Sequence, residues 1–234
     1  MSDNRTSPVA RRSFLARLGA GMTVAGATLA AGPSPAQAQS AGGGRWQPAR
    51  HAQDDWMDQI PGKHRFVFDT TSPAGFGAAL LYANNYFVAN ESGYGLKDPD
   101  AAVIIVARHF STPFAYKDAI WAKYGTTMAT AINFEDPKTK QRPSVNLYNA
   151  AGYDELASLG TTVDTLLKRG VQFGVCQMAT RFIAGVLARA NGANADAVYN
   201  ELAANLIGNS HLVAAGIVAV NRAQERGYTL ATTT

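Results

Sequence analysis

The chain has 234 residues, of which 47% are hydrophobic, 16% charged and 9% aromatic, with a single Cys. These values describe one globular domain, at most two, and exclude a disordered chain, an intramolecular disulfide framework and a Cys-only zinc site. The formal net charge is +4, but residues 1–38 hold Arg5, Arg11, Arg12 and Arg17 against Asp3, which leaves 17 basic and 16 acidic residues in the remainder. That remainder has no charge excess that would recruit nucleic acid, and no apolar run in the chain reaches the ~18 residues of a stable membrane span.

Residues 1–38 have the layout of an export signal rather than of a fold. A polar stretch ends in Arg11-Arg12, a weakly apolar segment rich in Gly, Ala and Thr follows, Pro33 and Pro35 break any helix, and Ala36-Gln37-Ala38 is a small-x-small cleavage site. The run Arg11-Arg12-Ser13-Phe14-Leu15 resembles a twin-arginine signal, with Ala10 and Ala16 departing from its usual flanks. The resemblance implies recognition by the twin-arginine translocase and a periplasmic mature protein that is folded before export. Residues 39–63 are a linker and an N-terminal arm: a Gly-rich tether, then Trp46 and Trp56 among charges, then Pro61-Gly62.

From residue 64 the pattern alternates between strand and helix. Residues 64–69 predict a strand ending at Asp69. Thr70, Thr71, Ser72 and Pro73 are a capping loop, followed by a helix over 75–90. Residues 101–108 are apolar on both faces, as a central parallel strand requires, and His109 follows them. A helix is expected over 114–124, stopped by Gly125. Residues 126–152 form an irregular excursion. The spacing of Leu156, Leu159, Val163, Leu166 and Leu167 predicts a helix over 153–169. A third strand over 171–176 ends at Cys176, and helices over 180–190 and 196–206 follow. A short strand over 211–214, a helix over 217–227 and an edge strand over 228–232 complete the chain. This order predicts a parallel sheet with helices on both faces. Gly75-Phe76-Gly77 lacks the third Gly of a dinucleotide fingerprint, so no cofactor is expected.

In an open parallel sheet, ligands bind beyond the carboxyl ends of the strands. The polar residues expected there are Asp69, Thr70 and Ser72 after the first strand, His109 after the second, and Cys176 and Gln177 after the third. Cys176 precedes a helix whose unpaired N–H groups favour a thiolate. The plainer alternative is a small buried apolar residue. His109 is a candidate base for it. His51, His64 and His211 show no metal-ligand spacing, and no Gly-x-Ser-x-Gly elbow marks a serine hydrolase.

The run Gly170-Val171-Gln172-Phe173-Gly174-Val175-Cys176 and the helix after it resemble the DsrE-like sulfur-relay family. So do Val213-Ala214-Ala215-Gly216-Ile217-Val218-Ala219-Val220 and Ala223-Gln224-Glu225-Arg226-Gly227-Tyr228 near the end of the chain. The likeness covers residues 62–232, interrupted by the excursion. It implies a three-layer flavodoxin-like α/β domain over 64–234, with five parallel strands in the order 2-1-3-4-5. It also implies a homo-oligomer, a sulfur-accepting Cys176, and a sulfur-donor or sulfur-acceptor protein as partner. The alternative function is a non-catalytic periplasmic module binding a small ligand or metal at Asp69, His109 and Cys176. The excursion, through Asn146 and Tyr148, is expected to border the pocket.

Overall fold

A computed structural model describes residues 47–234; the expected export signal, with Arg11, Arg12, Ala36 and Ala38, lies outside the described residues. One sheet is built from β1 (His64–Thr70), β2 (Ala101–Ala107), β3 (Gln172–Cys176), β4 (Ser210–Val213) and β5 (Thr229–Thr233), all parallel. The fold is the three-layer α/β class that the alternation implied. Along the sheet the order is β4-β3-β2-β1-β5, so β1 lies between β2 and β5, and β2 separates it from β3. β2 takes the centre because all seven of its residues are buried, which only a strand covered on both faces tolerates.

The two faces are covered unequally. Phe68, Ile105, Phe173 and Val175 pack under α2 (Pro73–Tyr94), α3 (Asp118–Ala131), α4 (Val163–Lys168), α5 (Gln177–Asn191) and α6 (Ala195–Ala204). Val67, Ala102, Ile104, Val106 and Val213 face α7 (Gly216–Gln224) and the short α1 (Trp56–Gln59). α2 begins where its sequence says it should. Ser72 accepts the Gly75 N–H at 2.9 Å, Pro73 occupies the first turn, and Gly95 closes the helix in the left-handed region.

Two helix expectations are corrected. α3 starts at Asp118 and runs through Gly125, because residues 109–115 form a tight 3-10 turn around Pro113. Gly125 sits mid-helix for close approach rather than as a stop: a Cβ there would lie 2.7 Å from the Pro143 carbonyl oxygen. The helix expected over 153–169 shrinks to Val163–Lys168. Leu159 and Gly160 both take positive φ, 45° and 77°, which interrupts a right-handed helix, and Thr162 then caps the short α4. Of the apolar residues at helical spacing, Leu156, Val163 and Leu166 are buried, Leu156 from a turn, whereas Leu159 points to solvent at 63% exposure.

The arm crosses the thinly covered face. Met57 is fully buried there, and the Tyr228 hydroxyl donates to the Met57 carbonyl at 2.6 Å. Burial pushes the Tyr228 phenol up to about 12, so it stays a donor. Arg226, its side chain wholly buried, donates to Asp58 at 3.1 Å, and Trp56 stacks on His211 with ring centroids 3.9 Å apart.

The imidazole of His211 also faces the Gln172 carboxamide at 3.1 Å. Burial holds its pKa below the ordinary 6.5. The unfolded chain therefore binds more protons than the folded one just below 6.5. Stability present above that pH is lost as the pH falls. His211→Gln is expected to flatten this slope when urea midpoints are compared at about pH 7.5 and about pH 5.5. An equal loss in both proteins would assign the acid sensitivity to other groups.

Candidate functional site

The site is set by the register of β2 and β3. Val106 pairs with Gly174 and Ala107 with Val175, so the next residues, Arg108 and Cys176, stand beside each other at the carboxyl edge of the sheet. Period-two alternation turns both side chains to the α7 face, with Val106 and Gly174 below them. On the far side of Cys176, β4 supplies Val213, and the chain turns at once into α7.

Cys176 ends β3 and is also the N-cap of α5, its sulfur accepting the Ala179 N–H at 3.4 Å. The residue is only 6% exposed, so the thiol is recessed at the cavity it lines. A hydrogen-bond chain fixes the strand-to-helix turn from the other side. The Thr180 hydroxyl donates to the Cys176 carbonyl at 2.9 Å, and the Tyr116 hydroxyl donates to Thr180 at 3.0 Å. Burial pushes the Tyr116 phenol well up, which keeps it protonated as the donor.

Arg108 is the residue that the sequence reading missed as a site group. Its Nε and Nη2 donate to the two carboxylate oxygens of Asp69 at 2.6 and 2.8 Å, a bidentate pair with Asp69 almost fully buried. The hydrogen bond to Asp69 is the main reason the guanidinium is held charged beyond its usual range, and the negative charge of a Cys176 thiolate adds to it. Gly216, the first residue of α7, makes room for the arginine stem: a Cβ there would run into the Arg108 side chain, 2.9 Å from its Cδ. A charge directly after a seven-residue buried strand, opposite an acid ending the neighbouring strand, was the available signal.

Arg108, His109, Cys176, Ala179, Ala215 and Gly216 line an open cavity of about 370 Å3. Phe110, Met178, Phe182 and Ile217 complete it, each between 36% and 67% exposed. His109 is exposed, takes a left-handed φ of 55°, and stacks on Phe110 at 4.0 Å. Non-glycine residues held in that region cluster at functional sites. Among the described residues no hydrogen bond joins His109 to Cys176.

The other expected site residues serve the scaffold. Thr70 is fully buried, donates to the Val106 carbonyl at 2.8 Å and meets Ser111 at 2.7 Å. Ser111 in turn accepts the Arg108 N–H at 3.0 Å, so this pair sets the turn that presents Arg108. Ser72 caps α2, and Gln177 donates to the Tyr199 hydroxyl at 2.8 Å. None of the three lines the Cys176 cavity. Asp69 reaches the site only through Arg108.

The excursion is also placed elsewhere. Asn146 is buried and donates to the Phe114 carbonyl at 2.9 Å, and the Tyr148 hydroxyl donates to Pro73 at 2.7 Å. These contacts fix the segment over the start of α2, on the five-helix side of the sheet, and it contributes nothing to the Cys176 cavity. Its polar residues turn inward to bond main-chain carbonyls that α2 and the 3-10 turn present there.

No group of three or more His, Cys, Asp or Glu able to hold a metal is found among the described residues. No helix among them is long and apolar enough to cross a membrane. No known family and no curated protein matches the chain. Among solved structures, a protein of unknown function from Methanobacterium thermoautotrophicum is similar at 15% identity, over 73% of this chain and 99% of that one, with a TM-score of 0.35. So slight a likeness carries no argument about function.

Proposed function

We propose that this protein is an exported, DsrE-like sulfur carrier in which Cys176 takes up sulfur as a persulfide. The observation that carries the reading is the placement of the chain's one thiol. It caps a 15-residue helix, stands beside a fixed guanidinium, and faces an open cavity. Helix N–H groups and a neighbouring cation both stabilise a thiolate, which is the nucleophilic form.

The transfer is balanced without an outside oxidant. The Cys176 thiolate attacks the outer sulfur of a donor persulfide, an S–S bond forms to Cys176, the donor's own S–S bond breaks, and the donor leaves as a thiolate. His109, at the cavity rim, is positioned to exchange the persulfide proton with solvent. A single thiol suffices, because the second transfer is made to a partner protein. Mass spectrometry of the non-reduced protein after exposure to a low-molecular-weight persulfide tests this. Added sulfur that leaves on reduction is expected. Its absence would give way to a second reading, a non-catalytic binding module, which the low exposure of Cys176 favours.

The same proposal places the mature protein in the periplasm as a homo-oligomer. Arg11→Lys with Arg12→Lys is expected to leave uncleaved precursor in the cytoplasm, read by fractionation and immunoblot. Undiminished export of that double variant would remove the twin-arginine assignment.

A further inference from the structure

Two chemically distinct sets of residues line the cavity, and together they specify more than a thiol needs. Arg108 uses Nε and Nη2 on Asp69, and among the described residues its Nη1 has no acceptor. About a quarter of the side chain remains exposed, and it lines the cavity. Beside it, the N-cap of α7 is Ala215, which offers no side-chain acceptor to the first N–H groups of that nine-residue helix. Ala215, Gly216 and Ile217 line the same cavity. Two independent sets of donors, one of them a full cation, therefore border one space that contains a sulfur. The other large lining side chains are apolar. Phe110, Met178, Phe182 and Ile217 are large and remain 36% to 67% exposed around it. Four such residues around one opening are far from the scattered exposure of ordinary surface.

We propose that this cavity binds a small organic anion, its charged head against Arg108 and the start of α7 and its apolar body against Phe110, Met178, Phe182 and Ile217. Resting on the carrier reading above, the sulfur donor is then of the organic thiosulfonate class, R–SO2–S−. The Cys176 thiolate attacks its terminal sulfur and forms the new S–S bond. The bond between that sulfur and the sulfonyl sulfur breaks, and the sulfinate R–SO2− leaves with the electron pair. Two negative charges stand on each side, and no further reactant is needed. The cation that holds the donor's head also faces the charge that develops on the leaving sulfinate.

Binding and chemistry are tested apart. Benzenesulfonate does not transfer sulfur, and benzenesulfonamide is its neutral counterpart of nearly equal shape. Isothermal calorimetry on the unmutated protein is expected to show the sulfonate binding about tenfold more tightly than the sulfonamide, the scale of one charge-assisted hydrogen bond. Arg108→Met is expected to abolish that preference. Phe182→Ala is expected to weaken both ligands severalfold and to keep the preference. Equal affinity of the two ligands for the unmutated protein overturns the proposal, and this arm stands even where Arg108→Met fails to fold. An unchanged sulfonate affinity in Phe182→Ala overturns the apolar half. A protein that prefers the sulfonate yet takes up no sulfur from benzenethiosulfonate keeps the anion site and loses the carrier reading. Sulfur uptake without sulfonate preference keeps the carrier reading and overturns this one.

Discussion

Cys176→Ser is expected to abolish sulfur uptake completely while leaving the fold intact. The reason lies in the double duty of the side chain. As a helix cap, serine is at least as good as cysteine: its hydroxyl accepts the N–H of the third following residue, the bond that the sulfur makes to Ala179 at 3.4 Å. As a nucleophile it has no comparable capacity, since an alcohol oxygen attacks sulfur far less readily than a thiol sulfur does. The variant therefore separates the structural role from the chemical one. The expected result is no mass gain from a persulfide donor, with a urea midpoint displaced by less than the equivalent of about 1 kcal/mol. Sulfur gained by the serine variant would place the chemistry at another residue. A large loss of stability would show that the sulfur is held by packing more than by capping.

Asp69→Ala carries the largest stability cost expected in the site. Asp69 is 3% exposed and meets the guanidinium through two short bonds, whereas Arg108 keeps 26% of its side chain in water. Removing one member of a buried pair costs roughly 3–5 kcal/mol, because the other charge stays desolvated. The exposed quarter of Arg108 lowers that figure to about 2–3 kcal/mol. Urea unfolding should show the midpoint fall with an unchanged slope. Asp69→Leu combined with Arg108→Met should recover much of the loss, since an apolar pair leaves no stranded charge. A single-variant cost below about 0.5 kcal/mol would mean that water already screens the pair. In that case Gly216 and the Thr70–Ser111 turn, rather than Asp69, would be what holds Arg108 in place.

The two variants also bear on how the site arose from its parts. Cys176 was visible in the sequence as a strand-end residue before a helix, and it occupies that position. His109 was visible in the same way and lines the same cavity. Thr70, Ser72 and Gln177 had equal claims by position, yet each is taken up by a neighbouring element: a strand carbonyl and Ser111, the first turn of α2, and Tyr199 of α6. Short polar side chains next to chain ends satisfy backbone groups as readily as ligands. Their sequence context does not distinguish the two uses, because the competing partner comes from elsewhere in the chain.

What the sequence determined by itself was the set of strands, the alternation with helices and the burial of β2 on both faces. These rest on local periodicity and on uninterrupted apolar runs, which a chain cannot satisfy except in a covered parallel sheet. Tertiary structure alone decided three things. It set the order of the strands, with β2 and not β1 beside β3, because neighbours in a sheet are chosen by long-range packing. It delayed the helix until after Leu159 and Gly160 and carried α3 through Gly125, because left-handed backbone and a close approach by Pro143 overrode helical spacing. Finally, it made Arg108 part of the site. Its partner Asp69 is 39 residues away and the glycine that admits its stem lies at the start of α7, so no local pattern contains the arrangement. The register of β2 on β3 brings that guanidinium beside Cys176, and register is a property of the assembled sheet.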